Sequence, residues 1–214
     1  MLDRAQAQAV RCGTWGKDKL AGTKRLSADA RRRQLVEAAA ELILKQGFLP
    51  VSPERLARAA GVSKALVYAY FPGSHDLYNA VLDSEFQTLG VERLAAAARQ
   101  GDLAQAAAAC ADLYFLHVAE HGPVAHVVLR DVHMSRGLRP DLAAQRDLVA
   151  RRLAGLARRQ LQLSAKDAVA AYNLIMTIPE ESGRLVWEGD LDIERGRDLV
   201  RRLVTSSIEA LRPS

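Results

Sequence analysis

The chain has 214 residues, 49% of them hydrophobic and 26% charged, which is enough to bury a substantial core and excludes disordered, fibrous and disulfide-stapled classes. Its formal net charge of +5 is unevenly spread: residues 1–74 hold 13 Lys plus Arg against 6 Asp plus Glu, and the remainder 17 against 19, an amino-terminal excess that argues against a protein coating nucleic acid along its whole length. Two cysteines, Cys12 and Cys110, form no disulfide framework, and neither a signal-type segment nor an apolar run of about 18 residues is present, so the expectation is a cytoplasmic protein with no membrane partner.

Residues 1–26 read as a flexible basic arm, with Arg4, Arg11, Lys17, Lys19, Lys24 and Arg25 spaced without periodicity and Arg31, Arg32 and Arg33 opening the first helix behind them. Such arms can enter a minor groove; the same charges also fit a solvated run. Residues 51–72 read as two short helices joined by a tight turn. Ser52 suits the N-cap of the first, Pro53 its N1 position, Glu54 its positive end, and Gly61 the left-handed residue that stops it. Ser63 caps the second helix, Val62 and Val67 form a hydrophobic staple across its start, and Pro72 closes it. With Val67 and Phe71 turned inward, Ala65 and Ala69 fall on the opposite side, flanked by Leu66 and Tyr68. A face of small residues lets a helix backbone approach the floor of a major groove while Lys64 and the tyrosine hydroxyls reach phosphates; the alternative is an ordinary solvated face.

The run Leu56-Ala-Arg-Ala-Ala-Gly-Val-Ser-Lys-Ala-Leu-Val-Tyr-Ala-Tyr-Phe-Pro72, followed by Asp76 and Leu77, resembles the DNA-binding domain of the TetR family of transcriptional repressors over residues 31–82, including a preceding helix with Ala38 and Ala39 and a turn at Gly47-Phe48. The resemblance implies an all-α fold in which a three-helix helix-turn-helix domain (residues 27–74) precedes a larger helical ligand-binding and dimerisation domain (75–214). It also implies a homodimer that binds a palindromic double-stranded operator and is released by a small-molecule effector. By position, Ser52, Ser63, Lys64, Ala65, Leu66, Tyr68 and Tyr70 stand where family members contact DNA. Leu66 replaces a usual hydroxyl residue and Ser74 a usual lysine, so affinity is expected to draw on the basic arm.

Beyond Pro72 the pattern is helical throughout. Leu77, Val81, Leu82, Phe86 and Leu89 mark a connecting helix, and further helices are predicted over about 102–120, 123–134, 141–161, 164–187 and 192–211, started by Asp102, Ser164 and Asp192. Pro179 should kink the fourth of these between residues 176 and 182. In the last, Leu199, Val200, Leu203, Val204, Ser207, Ile208 and Leu211 make a broad stripe. The resemblance implies that the last two helices meet a second copy, with Tyr172, Ile175, Leu203, Val204 and Ile208 at the dimer interface; packing within one subunit is the alternative.

His117, His121, His126 and His133 cluster near Asp131, but their spacing matches no metal signature. With Tyr114 and Phe115 they fit the wall of an organic-ligand pocket better. Around the expected kink, Tyr172, Met176, Glu180 and Trp187 join Tyr114, Phe115, His117 and His121 as candidate ligand-binding residues. No phosphate loop, nucleophile elbow or zinc-protease motif supports an enzyme. The chain therefore reads as an effector-released repressor with no cofactor or metal. The alternative is a helix-turn-helix regulator whose carboxy-terminal part senses a protein partner or a metal.

Overall fold

The computed structural model describes residues 26–99, 101–132 and 134–213, and every regular element among them is a helix. The all-α expectation holds.

Helix α1 (Ala28–Gln46) begins where the Ser27 hydroxyl accepts from the Ala30 amide at 3.2 Å. It buries Leu35, Val36, Ala39 and Ile43 on one face, the three- and four-residue spacing of an amphipathic helix. Against that face pack α2 (Pro53–Ala59), α3 (Lys64–Tyr70) and α4 (Ser74–Leu89), which contribute Leu56, Val67, Phe71, Val81 and Leu82 to a common core. Fully burying side chains of this kind stabilises by about 1.5–3 kcal/mol each. Two polar contacts fasten α4 to its neighbours. The Tyr78 hydroxyl accepts from the Val51 amide at 2.8 Å, at the approach to α2. Buried Asn79 donates to the carbonyls of His75 and Gly137 and accepts from the Arg139 amide at 2.9 Å.

A second core is built around α6 (Leu103–His121), which lies against α11 (Thr177–Glu188) and α12 (Ile193–Glu209); Phe115, Cys110, Val186, Val200 and Val204 meet inside it. α11 can approach because Gly183 carries no side chain: a Cβ there would stand 2.7 Å from Val118 Cβ and 3.0 Å from the Phe115 carbonyl oxygen. Short α5 (Val91–Ala97), α7 (Val124–Arg130) and α8 (Met134–Gly137), with α9 (Pro140–Gln160) and α10 (Ala165–Ile175), complete the described chain.

Three helix boundaries differ from expectation by more than two residues. The connecting helix starts three residues earlier, at Ser74, because the Asp76 carboxylate accepts from the Gly73 amide at 3.0 Å and supplies a cap. The helix expected to run to Met134 stops at Arg130; the backbone beyond it is held by Asn79 instead of continuing its own ladder. The helix expected over 164–187 divides at Met176. Pro179 is the third residue of the second piece, among the positions whose N–H has no intrahelical acceptor, so the break removes the cost of a mid-helix proline. Among the described residues, no helix is long and apolar enough to cross a membrane.

Candidate nucleic-acid interface and effector cavity

The α2–α3 unit is specified residue by residue. Ser52 accepts from the Arg55 amide at 3.2 Å with Pro53 at N1. The turn is a Schellman motif: Val62 N–H reaches the Ala57 carbonyl at 2.9 Å and Gly61 N–H that of Arg58 at 3.3 Å, with Gly61 at φ +65°. A side chain at Gly61 would have open space around it, so backbone conformation alone selects glycine there. Ser63 then caps α3, accepting from the Leu66 amide at 3.2 Å.

Val67 and Phe71 are buried, while Ser63, Lys64, Ala65, Tyr68 and Ala69 are exposed and Leu66 and Tyr70 half-buried. The small face thus points to solvent. Lys64 is ion-paired with Glu54 on α2 and lies 5.7 Å from the centre of the Tyr68 ring. The Lys64 hydrogen bond, helped by the Glu54 amide and the Ser52 hydroxyl, holds the Glu54 carboxyl down at about 2. Arg31 bonds Gln34, which in turn donates to the Ala60 carbonyl at 3.0 Å, and Arg32 stacks 5.3 Å over the Phe71 ring. These arginines are therefore part of the folded unit. Residues 1–25 of the expected arm, Cys12 included, lie outside the described residues.

A cavity of about 480 Å³ lies between α4, α5, α7, α9 and the α10–α11 break. Of the expected lining residues, Tyr114, Tyr172, Met176 and Glu180 come together on its wall, joined by His126 and by apolar Phe86, Leu89 and Val149. The Tyr114 hydroxyl donates to Glu180 Oε2 at 3.1 Å, and His126 Nδ1 pairs with the other oxygen. Burial, reinforced by Glu180, raises the Tyr114 phenol well above its usual range. Burial also pushes Tyr172 up to about 12. Both phenols are therefore neutral donors at physiological pH.

Four expected lining residues lie elsewhere. Phe115 is wholly buried in the second core, its ring against Gly196. His117 is buried one turn from Tyr114, its Nε2 3.1 Å from Glu85 Oε2 on α4. His121 is half-exposed, its ring centre 4.9 Å from that of His117 and its Nε2 3.7 Å from Glu120. Trp187 lines a neighbouring concavity with Leu44, Pro123 and Arg184, which shares His126 and Glu180 with the cavity. Sequence proximity drew these residues together, whereas their positions around α6 and α11 point them apart. His133 lies outside the described residues. Among the described residues, no three His, Cys, Asp or Glu side chains are grouped as metal ligands.

The residues expected at a dimer interface also separate. Val204 and Ile208 are buried inside the chain's own core, and Tyr172 faces the cavity. Leu203 is 48% exposed, and Leu174 is 71% exposed beside a surface concavity that also holds Ile175, Ile178, Ser207 and Leu211. The row 203–207 on α12, continued by Leu211 just past its end, is adjacent to the buried row 200–204–208.

Residues 35–81 match the model described as bacterial regulatory proteins, tetR family. Over 65 residues the chain is 38% identical to the HTH-type transcriptional activator FasR of Mycolicibacterium smegmatis, a match covering 30% of each chain. The chain thus matches about a third of the length of such curated relatives. Whole-chain similarity is structural. A TetR-like transcriptional regulator from Rhodococcus sp. RHA1 superposes with a TM-score of 0.65 at 21% identity, over 86% of this chain and 99% of that one. A tetR-family transcriptional regulator from Streptomyces coelicolor gives 0.53 at 26% identity, over 87% and 82%.

Proposed function

We infer from the match of residues 35–81 to the model for the tetR family of bacterial regulatory proteins that the chain is a homodimeric cytoplasmic transcriptional regulator of that family, which occupies a palindromic operator and is released by a small molecule bound in the cavity beside Tyr114 and Glu180. In this reading residues 27–74 bind DNA, residues 75–214 bind the effector and the second subunit, and no catalysis is involved. The observation that carries it is the exposed Ala65–Ala69 face of α3, held by the Ser63 cap and by Val67 and Phe71 below it. Such a face can enter a major groove without steric obstruction, with Ser52, Ser63, Lys64, Leu66, Tyr68 and Tyr70 around it.

Dimerisation supplies the second recognition helix that a two-fold operator demands, and the exposed apolar surface of α10–α12 around Leu174, Leu203 and Leu211 supports it. Effector release is a coupling free energy between cavity and operator, so the operator must weaken effector binding by the same factor.

Selection of fragments from randomised DNA, followed by gel shift, tests the reading. The wild-type chain should enrich an inverted repeat, and Ala65→Glu, which places a carboxylate against the groove, should abolish the shift while leaving the circular dichroism spectrum and thermal midpoint unchanged. A promoter reporter carrying the enriched site distinguishes repression from activation. Recovery of no sequence, or undiminished binding by Ala65→Glu, would overturn the assignment of this face.

A further inference from the structure

We propose that the effector taken by this cavity is an amphipathic organic carboxylate: an apolar chain or ring body with one anionic head, held by Arg130 and Arg146. The inference rests on the reading of the cavity as the effector site and adds the ligand's chemistry.

Charge bookkeeping around the wall leads there. Glu180 is the acidic residue of the lining, and its carboxylate is fully engaged, one oxygen accepting from the Tyr114 hydroxyl and the other paired with His126. An ammonium ligand would have to displace a histidine and a tyrosine to reach it. Arg130 and Arg146 also line the cavity. Arg130 stands one turn after His126 on α7, on the same helix face, is exposed, and has no ion-pair partner among the described residues. Arg146 gives its Nε–H to Asp147 at 2.7 Å, which leaves its terminal nitrogens for another acceptor. A guanidinium meets a carboxylate through two parallel hydrogen bonds, a geometry that a hydroxyl or an amine cannot reproduce.

The rest of the wall has the opposite character. Phe86 and Leu89 from α4, Leu94 from α5, Leu129 from α7, Val149 from α9 and Met176 at the α10–α11 junction supply its apolar lining. A volume of about 480 Å³ falls in the range of small-molecule sites, which are mostly apolar with a few orienting polar groups. Polar positive rim and apolar interior together describe an amphiphile that enters body first. A compact polyanion such as inorganic phosphate would leave the apolar wall uncovered and gain nothing from it.

The test compares probes of one chain length and different heads. Decanoate and decylamine below their micelle concentrations, and 1-decanol below its solubility limit, are titrated calorimetrically into the full-length protein. Decanoate should bind at least ten-fold more tightly than decanol, and decylamine more weakly than either. The Arg130→Gln/Arg146→Gln variant should lose that carboxylate-over-alcohol difference; both side chains are at the surface rim, so folding is unaffected, as thermal denaturation would verify. Val149→Trp, which fills the interior, should abolish binding of all three probes. A decanoyl thioester of coenzyme A serves as the phosphorylated alternative, and tighter binding of it than of decanoate would overturn the carboxylate assignment. Equal affinity for decanoate and decanol, or a preference that survives in the double-glutamine variant, would do so as well. Gel shifts with the selected operator separate this inference from the reading beneath it. Operator release by decanol as efficient as by decanoate leaves the effector site standing and removes the anionic class. Arginine-dependent decanoate binding without operator release leaves the ligand chemistry standing and removes the effector role.

Discussion

His117 and Glu85 face each other across the junction of α6 and α4, Nε2 to Oε2 at 3.1 Å, with side chains only 6% and 14% exposed. Tyr114, one turn before His117 on the same face of α6, holds Glu180 at the cavity wall. Glu85 lies on α4, which places Phe86 and Leu89 on that wall and Tyr78 against the backbone that leads into α2. The pair therefore ties α6, which carries the cavity residue Tyr114, to α4, which also packs against the amino-terminal helices.

Removing one member leaves the other buried without a partner, a loss of about 1–3 kcal/mol. Glu85→Ala and His117→Ala should each lower the urea midpoint accordingly. The double variant should be less destabilised than the sum of the two, since the interaction is lost only once. Additive losses in the denaturation series would show that the contact contributes nothing.

Two helical glycines should respond to alanine with opposite signs. At Gly155 the nearest atom to a new Cβ is the far end of Arg159, at 3.6 Å, so Gly155→Ala gains helix propensity and stabilises by up to about 1 kcal/mol. At Gly183 the same Cβ would meet Val118 Cβ at 2.7 Å and the Phe115 carbonyl oxygen at 3.0 Å. Backbone cannot give way as a flexible side chain does, so overpacking outweighs propensity and Gly183→Ala costs about 1–3 kcal/mol. Thermal melts of the two variants read both signs directly.

Cys110 should be chemically silent. Its side chain is fully buried, its Sγ lies 3.5 Å from the Leu94 carbonyl, and burial pushes the thiol up to about 12. Reaction requires the thiolate, so below that pH the group is overwhelmingly protonated. In a Cys12→Ser variant, a disulfide exchange reagent at pH 8 should give no fast phase until denaturant is added. Rapid native-state labelling would show that the second core opens locally.

Most of the helix-turn-helix was legible in the sequence because its determinants are local. Ser52, Pro53, Gly61 and Ser63 each act within three or four residues of themselves, and the Val67–Phe71 spacing fixes which side of α3 is buried. The cavity was half legible. Tyr114 was accessible from its place beside the histidines, and Tyr172, Met176 and Glu180 from the kink expected at Pro179, which the structure resolves as a division at Met176. Phe86, Val149 and Arg146 come from segments whose approach depends on tertiary packing, and no short-range signal marks them. His126 and Arg130 did carry one, since their separation of four residues places them on one helix face. Along residues 199–211 the stripe was too wide to resolve: seven apolar or small positions cover two adjacent rows, and only packing against α6 decides that Val204 turns in and Leu203 out.

The Lys64–Glu54 pair predicts a gain of DNA affinity. Both side chains are about half exposed, so the pair adds little to folding, but it ties up a cation at the amino-terminal end of α3. Glu54→Gln frees that ammonium and, on the proposed reading, removes a negative charge from the side that meets DNA. Non-specific affinity for duplex DNA should rise, and the slope of log affinity against log salt should steepen by about one unit, as for one additional phosphate contact. An unchanged slope in fluorescence anisotropy titrations would place Lys64 away from the phosphates.

Leu174 and Val204 separate interface from core by the way each variant fails. Leu174 is 71% exposed in the single chain and borders the concavity shared with Ile178, Ser207 and Leu211. A glutamate there costs the isolated subunit little, but it would be buried unpaired if a second copy covers this surface. Leu174→Glu should therefore yield a folded monomer by light scattering, with weakened operator binding although no DNA-facing residue has changed. Val204 is wholly buried against the chain's own α6, so Val204→Glu places a charge in the core, at a cost of several kcal/mol that the chain cannot avoid by dissociating. It should lose helical signal at room temperature or melt far below the wild type. A Leu174→Glu protein that stays dimeric at low micromolar concentration, with its melting transition intact, would place the two-fold contact on another face.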